Sequence, residues 1–143
     1  KDSVQANELF RYCVEKVKSD YILISHATNP FINKSSIVKG IDAIKSRKYD
    51  SSFSVLKHQA YSWFNGFPLN YDPYDMSQTQ DLSPLYTETS GFYIFRRKDY
   101  LKYNTRISKK PFLVEITQKE AIDIDERYDL HLAKLLMENP YGK

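Results

Sequence analysis

The sequence predicts a single α/β domain, and three observations lead to this fold class. Residues 21–24 form a short, nearly continuous apolar run, as expected of a parallel strand that is covered on both faces. Segments with helical periodicity alternate with such runs, an order typical of βαβ units and a parallel sheet. The 143 residues contain no repeats, low-complexity tracts or linkers, and this length fits one domain with a sizeable core.

The first part of the chain supplies two helices and two strands. Apolar residues at helical spacing predict a helix over residues 3–18, with Cys13 on its buried stripe, and a strand follows at residues 21–25. Ser35 or Ser36 is expected to cap the next helix, which places isoleucines on its buried face. Residues 52–55 alternate in polarity and predict the second strand.

Residues 57–84 depart from this alternation because they are rich in aromatic residues and turn formers. The pair Asn65 and Gly66 is a strong signal for a two-residue hairpin between short strands. An aromatic hairpin that protrudes from an α/β core suits a partner surface. A loop packed on itself fits the same residues equally well.

The second part of the chain contributes two strands and one helix. Residues 91–95 are apolar on both faces, which predicts a central strand, and the polar residues 87–90 precede it. Pro111 introduces a fourth predicted strand at residues 112–116. Apolar residues at helical spacing then predict an amphipathic helix over residues 126–138.

Polar residues follow the first predicted strand directly. His26, Thr28 and Asn29 stand before Pro30, which prevents the strand from continuing. Open α/β sheets bind their ligands at the carboxyl ends of strands, so these side chains are candidate substrate contacts. A turn whose polar side chains satisfy one another is the alternative interpretation.

Two carboxylates stand close together in residues 121–125. In an extended segment side chains alternate, so Asp123 and Asp125 would project to the same side. Two such oxygen donors can share a Mg²⁺, particularly when a substrate phosphate completes its shell. Alternatively, Asp125 caps the last helix, where an acidic residue satisfies free backbone N–H groups.

Composition argues against several other function classes. The net charge of +3 is too small and too dispersed to indicate nucleic acid, and the 4 glycines form no known phosphate-binding loop. The 3 histidines lack zinc-ligand spacing, and the single cysteine excludes an internal disulfide. No apolar run reaches the roughly 18 residues of a membrane helix, so we expect a cytoplasmic protein that binds no membrane.

Four short motifs occur in a defined order along the chain. Residues 26–30 end the first strand, residues 49–55 read Tyr-Asp-Ser-Ser-Phe-Ser-Val, residues 88–95 carry Ser-Gly before an aromatic strand, and residues 121–125 read Ala-Ile-Asp-Ile-Asp. In this order the motifs resemble those of the acylneuraminate cytidylyltransferases. Those enzymes couple CTP to a nonulosonic acid such as sialic acid.

This resemblance implies a Rossmann-like nucleotidyltransferase sheet with flanking helices, in which the anomeric hydroxyl of the sugar attacks the α-phosphate of CTP and pyrophosphate leaves. It implies that Asp123 and Asp125 are the catalytic carboxylates and hold Mg²⁺ or Mn²⁺. It further implies a homodimer in which residues 57–84 form the dimerisation element. The implied sugar-acid pocket is lined by His26, Thr28, Asn29, Gln80, Glu88 and Ser90.

The sequence departs from the family pattern at two places. The glycine-containing nucleotide loop with which the family opens is absent, so we expect a chain truncated at its N-terminus that is inactive alone. Residues 78–82 carry no arginine for the sugar carboxylate, although Gln80 can donate a hydrogen bond there. Two alternatives therefore stay open: another sugar nucleotidyltransferase, such as the keto-deoxy-octulosonate type, and a non-catalytic binding or dimerisation module.

Overall fold

The computed structural model describes residues 6–138, with the backbone alone for Ala6 and Asn7. The predicted start of the first helix, at residues 3–5, lies outside the described residues. The elements, in chain order, are α1 (Ala6–Lys16), β1 (Tyr21–Ser25), α2 (Lys34–Lys45), β2 (Ser51–His58), β3 (Trp63–Phe64), β4 (Phe67–Pro68), a short 3₁₀ turn (Thr79–Asp81), β5 (Leu85–Arg96), α3 (Arg97–Tyr103), β6 (Pro111–Ile116) and α4 (Arg127–Glu138).

The main sheet has the strand order β1-β5-β2-β6. Strand β5 pairs antiparallel with β1 and with β2, whereas β2 and β6 pair in parallel. The predicted α/β class with a central strand at residues 91–95 is confirmed. The expectation of a parallel sheet is wrong for β5. The loop after β2 turns back at the edge of the sheet where β2 ends, so β5 runs in the opposite direction to β2. The amino end of β5 therefore lies at the carboxyl ends of β1 and β2.

Each face of the main sheet carries its own apolar cluster. One cluster packs against α1 and α3, and the other packs against α2. In contrast to the prediction, Cys13 is exposed, because the neighbouring Val14 is the residue of α1 that turns inward. The first cluster contains Val14, Ile22, Phe53, Val55, Tyr93, Phe95 and Tyr100, and the second contains Ile44, Phe92, Ile94, Val114 and Ile116.

The start of α2 differs from the prediction. The helix begins at Lys34, so Asn33 occupies the N-cap position and the predicted cap by Ser35 or Ser36 is wrong. Ser36 lies inside the helix, where its hydroxyl donates a hydrogen bond of 2.6 Å to the buried carboxylate of Glu120. The Ser36 hydroxyl therefore connects α2 to the loop after β6.

The predicted hairpin is present between β2 and β5. Because β2 extends to His58, the excursion covers residues 59–84 rather than 57–84. Strands β3 and β4 pair antiparallel, and positive φ angles at Asn65 (49°) and Gly66 (82°) are those of a type I′ turn. The aromatic side chains of Trp63, Phe64 and Phe67 are 56%, 63% and 73% exposed. Dimerisation through this hairpin stays a prediction.

Candidate functional site

Two segments that are far apart in the sequence are joined at the carboxyl edge of the sheet. The side-chain amide of Asn29, which is 5% exposed, donates a hydrogen bond of 3.2 Å to the carbonyl oxygen of Ile122. The backbone N–H of Ile124 donates one of 2.9 Å to the carbonyl oxygen of Thr28. These two bonds hold Asp123 against the turn that follows β1.

Ser90 on β5 completes this junction. Its hydroxyl lies 3.0 Å from Oδ1 of Asn29 and also forms a short hydrogen bond with Oδ2 of Asp123. A hydroxyl has one proton, and the carboxylate is the stronger acceptor, so the proton points to Asp123. Ser90 and Asn29 thereby orient the side chain of Asp123.

A local irregularity in β5 brings Ser90 to this position. Phe53 pairs with Tyr93 and Val55 pairs with Glu88, so residues 89–92 lie opposite Ser54 alone. The Ser54 hydroxyl fills the gap, accepting hydrogen bonds from the Phe92 N–H (3.0 Å) and the Thr89 hydroxyl (2.7 Å). Bulges of this kind redirect side chains next to functional sites.

Gly91 is necessary for this bulge because a side chain would not fit there. A Cβ atom at Gly91 would lie 2.5 Å from Cδ1 of Ile32 and 2.9 Å from Oγ of Ser54. The carbonyl oxygen of Gly91 also accepts a hydrogen bond of 2.8 Å from Ser25, the last residue of β1. The Ser-Gly pair therefore fixes both the path of β5 and the direction of the Ser90 side chain.

The surroundings of Asp123 favour its ionised form. Burial alone would raise the pKa of Asp123, but the hydrogen bond from Ser90 and the interaction with the Thr28 side chain act in the opposite direction. The neighbouring His26 and the backbone N–H of Ile124 lower it further. The net result is a pKa below the ordinary value, so Asp123 is a carboxylate at neutral pH.

Two buried polar atoms at this edge have no hydrogen-bond partner among the described residues. They are Nε2 of His26 and Oδ1 of Asp123. Buried polar atoms are nearly always hydrogen-bonded, so these two atoms are candidate contacts for a water molecule or a ligand. The His26 ring is held by stacking on Phe10 of α1, with ring centroids 6.1 Å apart.

Glu120 is an organising residue that sequence reasoning missed. Its side chain is 3% exposed and accepts hydrogen bonds from the N–H groups of Asn33 and Thr117 and from the hydroxyls of Ser36 and Thr117. Burial would raise the pKa of Glu120, but these bonds outweigh it and lower the pKa. A single glutamate in a loop gives no sequence signal for such a role. Glu120 fixes the loop that leads to Asp123.

The remaining predicted site residues form no hydrogen bond with this junction within the described part of the chain. Asp125 is exposed. At the start of α4 the Asp129 carboxylate accepts hydrogen bonds from the N–H groups of Asp125 and Glu126. The alternative role of Asp125 as the N-cap is therefore not realised. Gln80 is exposed in the 3₁₀ turn and packs beside Gln78. The Glu88 carboxylate accepts a hydrogen bond of 2.5 Å from the Tyr93 hydroxyl. Burial, together with this bond, raises the pKa of Tyr93 to about 12.

Asp123 is the residue at this edge that could contribute an oxygen ligand to a hard divalent cation. One oxygen of the carboxylate is held by Ser90 and the other is free, which is the arrangement of an oriented metal ligand. Within residues 6–138 no group of three or more acidic, histidine or cysteine side chains forms a complete metal cage. A cation here would thus take most of its ligands from water and substrate, as Mg²⁺ commonly does.

Comparison with known proteins shows the fold. No protein-family model matches the sequence. Among solved structures, 4-diphosphocytidyl-2C-methyl-D-erythritol synthase from Anaerococcus prevotii is similar, with a TM-score of 0.67 and 13% sequence identity over 95% of this chain and 68% of that one. The protein therefore shares the α/β fold of that synthase. Separately, none of the helices described is both long and apolar enough to cross a bilayer.

Proposed function

We propose that this chain is the sugar-acid- and metal-binding part of a cytidylyltransferase that transfers CMP from CTP to a nonulosonic acid of the sialic type. The observation that supports this most directly is the meeting of His26, Thr28, Asn29, Ser90 and Asp123 at one edge of the sheet. These residues come from three separate segments of the chain. Their convergence is what a substrate site at the carboxyl ends of strands requires.

Asp123 is the proposed metal ligand at the centre of the site. Asn29, Thr28 and Ser90 hold its carboxylate in place, and its free oxygen together with the exposed Asp125 would bind Mg²⁺ or Mn²⁺. A divalent cation bound there would neutralise the charge on the CTP phosphates. We assign to the unpaired Nε2 of His26 a hydrogen bond with a hydroxyl of the acceptor, a role that its lack of a partner among the described residues supports.

The proposed reaction forms one bond and breaks another. The anomeric oxygen of the sugar acid bonds to the α-phosphorus of CTP, and the bond from that phosphorus to the departing pyrophosphate breaks. The hydroxyl proton passes to solvent. The residues of this chain contribute by orienting the acceptor and by placing a fixed negative charge where the cation is needed.

We do not assign nucleotide recognition to the residues of this chain. No glycine-rich phosphate loop occurs in the 143 residues, so we expect this chain alone to bind acceptor and metal without turnover. The exposed aromatic hairpin with Trp63, Phe64 and Phe67 is the proposed homodimer contact.

Pyrophosphate release from CTP, measured with a panel of nonulosonic and octulosonic acids, tests this function. The assay uses the natural protein with whatever residues precede Lys1 in it, together with the variant Asp123→Asn. Turnover with one acid that falls at least a hundredfold in Asp123→Asn would support the proposal and identify the acceptor. A folded wild-type protein that binds neither metal nor any of these acids would indicate a non-catalytic module instead.

A further inference from the structure

Arg106 is a cation that lies on aromatic rings and forms no ion pair with an acidic side chain of residues 6–138. Its Cζ atom is 4.2 Å from the centroid of the Tyr93 ring and 5.5 Å from that of Phe10. The side chain is half-buried, and no hydrogen bond or ion pair of Arg106 is found within residues 6–138. Ring contacts fix the plane of a guanidinium group while leaving its N–H groups available.

The position of Arg106 relates it to the site around Asp123. Phe10 stacks on the His26 ring and is also contacted by the guanidinium group of Arg106. His26 and Arg106 therefore share one aromatic neighbour, on the face of the sheet that carries α1 and α3. This shared ring connects Arg106 to the site around Asp123.

The space in front of Arg106 is small. Arg106 lines a pocket of about 170 Å³ together with Glu88, Tyr100, Asn104, Thr105 and Ile107. The Glu88 carboxylate in this pocket is engaged by the Tyr93 hydroxyl. Its negative charge still disfavours an incoming anion, and it disfavours a doubly charged phosphoryl group more than a singly charged carboxylate.

We propose that Arg106 is a specificity-determining residue that binds the carboxylate of the acceptor. The fork of guanidinium N–H groups matches the two oxygens of a carboxylate, and the rings of Tyr93 and Phe10 hold that fork in place before binding. This inference rests on the proposed function in one respect, that the acceptor is an acid. The same oxyanion chemistry would also suit a phosphoryl group of CTP, and the experiment separates the two.

The test is isothermal titration calorimetry of the 143-residue protein with N-acetylneuraminic acid and with 3-deoxy-octulosonic acid. Each acid is compared with its neutral methyl ester. Pyrophosphate is titrated as the phosphoryl ligand. Arg106→Gln is expected to weaken binding of the preferred acid about 10- to 100-fold and to leave the ester unchanged. Arg106→Lys keeps the charge without the fork, so its loss is smaller. Glu88→Gln removes the repelling charge and is expected to tighten acid binding.

Arg47→Gln is the matched control because Arg47 lines a different basic groove, of about 460 Å³, at the other end of β5 with Arg96, Arg97 and Lys98. It should leave acid binding unchanged. The inference is overturned if acid and ester bind wild type equally, if no acid binds, or if Arg106→Gln weakens pyrophosphate rather than the acid. Acid binding that depends on Arg106 in a protein that binds no Mn²⁺ would retain this inference and reject the proposed cytidylyl transfer.

Discussion

Ser90 and Asp123 lie 33 residues apart in the sequence and are joined by a hydrogen bond. The bond links a bulge in a central strand to an irregular segment before the last helix. The other carboxylate oxygen of Asp123 is buried without a hydrogen-bond partner among the described residues, and it is the atom that the proposed metal would bind.

Ser90→Ala is expected to weaken metal binding. Without the hydroxyl, the Asp123 carboxylate loses its orienting donor, and loss of such a partner typically costs about tenfold or more in metal affinity. The measurement is Mn²⁺ binding followed by electron paramagnetic resonance. Ser62→Ala is the control because the Ser62 hydroxyl bonds only within the hairpin loop, to the carbonyl oxygen of Ala60. Equal affinities in Ser90→Ala and wild type would show that the bond has no such role.

Glu120→Gln is expected to destabilise the fold. The amide offers one acceptor oxygen and two donor hydrogens to four groups that all donate, so buried donors lose their partners. The expected loss is about 2–4 kcal/mol in the free energy of unfolding, measured by urea denaturation. Glu115→Gln should change it by less than about 0.5 kcal/mol, because Glu115 is exposed and bonds only to the Tyr86 hydroxyl.

Acid pH should remove the contribution of the Glu120 carboxylate to the free energy of unfolding. Its pKa is lower in the folded than in the unfolded protein, so the unfolded state binds more protons between these two values and stability rises with pH there. The contribution is complete above the unfolded pKa and is lost as pH falls through the folded pKa. The stability difference between wild type and Glu120→Gln should therefore shrink as the pH is lowered from 7 through the unfolded value of about 4.5. A difference that does not change with pH would contradict this assignment.

The sequence predicted the local elements better than their mutual arrangement. The apolar run at residues 21–24 and the pair Asn65 and Gly66 gave a strand and a turn because their signals depend on neighbouring residues alone. The direction of β5 depends on where a long aromatic loop returns, which no periodicity encodes. Glu120 escaped prediction for the same reason, because two of its four hydrogen bonds come from Asn33 and Ser36, which are distant in the sequence.

The candidate site was predictable only where a motif marked it. Hydrogen bonds and charge interactions bring together five residues from the motifs, which are His26, Thr28, Asn29, Ser90 and Asp123. Gln80 and Glu88 do not join them, since the resemblance to a family fixes a place in the sequence and not a side-chain direction. Arg106 carried no signal, because a lone arginine in a loop is ordinarily a solvated charge.

Gly91→Ala is expected to lower stability by about 1–3 kcal/mol, because the added methyl group overlaps Ile32 and Ser54. Ile32→Val deletes the nearest atom, so the double variant should lose less than the sum of the single losses. Gly66→Ala serves as the control. Its cost of about 1 kcal/mol comes from the positive φ angle in open space and should simply add to that of Ile32→Val. Additive losses in both pairs would exclude the packing explanation for Gly91.

The hairpin is expected to mediate a homodimer. Replacing Phe64 and Phe67 with serine removes two exposed aromatic side chains without altering the turn residues, so sedimentation equilibrium should shift from dimer to monomer. Tyr103→Ser removes an exposed aromatic residue from α3 and should leave the dimer intact. A wild-type protein that sediments as a monomer would refute this prediction.

Binding of Mn²⁺ to wild type, Asp123→Asn and Asp125→Asn tests the metal-binding role of Asp123 most directly. We expect the wild-type protein to bind Mn²⁺ and the Asp123→Asn variant to lose at least a hundredfold in affinity. Asp125→Asn should lose less, because Asp125 is exposed and lacks an orienting partner within the described residues. Circular dichroism establishes that each variant is folded. Undiminished Mn²⁺ binding in a folded Asp123→Asn protein would contradict the central role of Asp123.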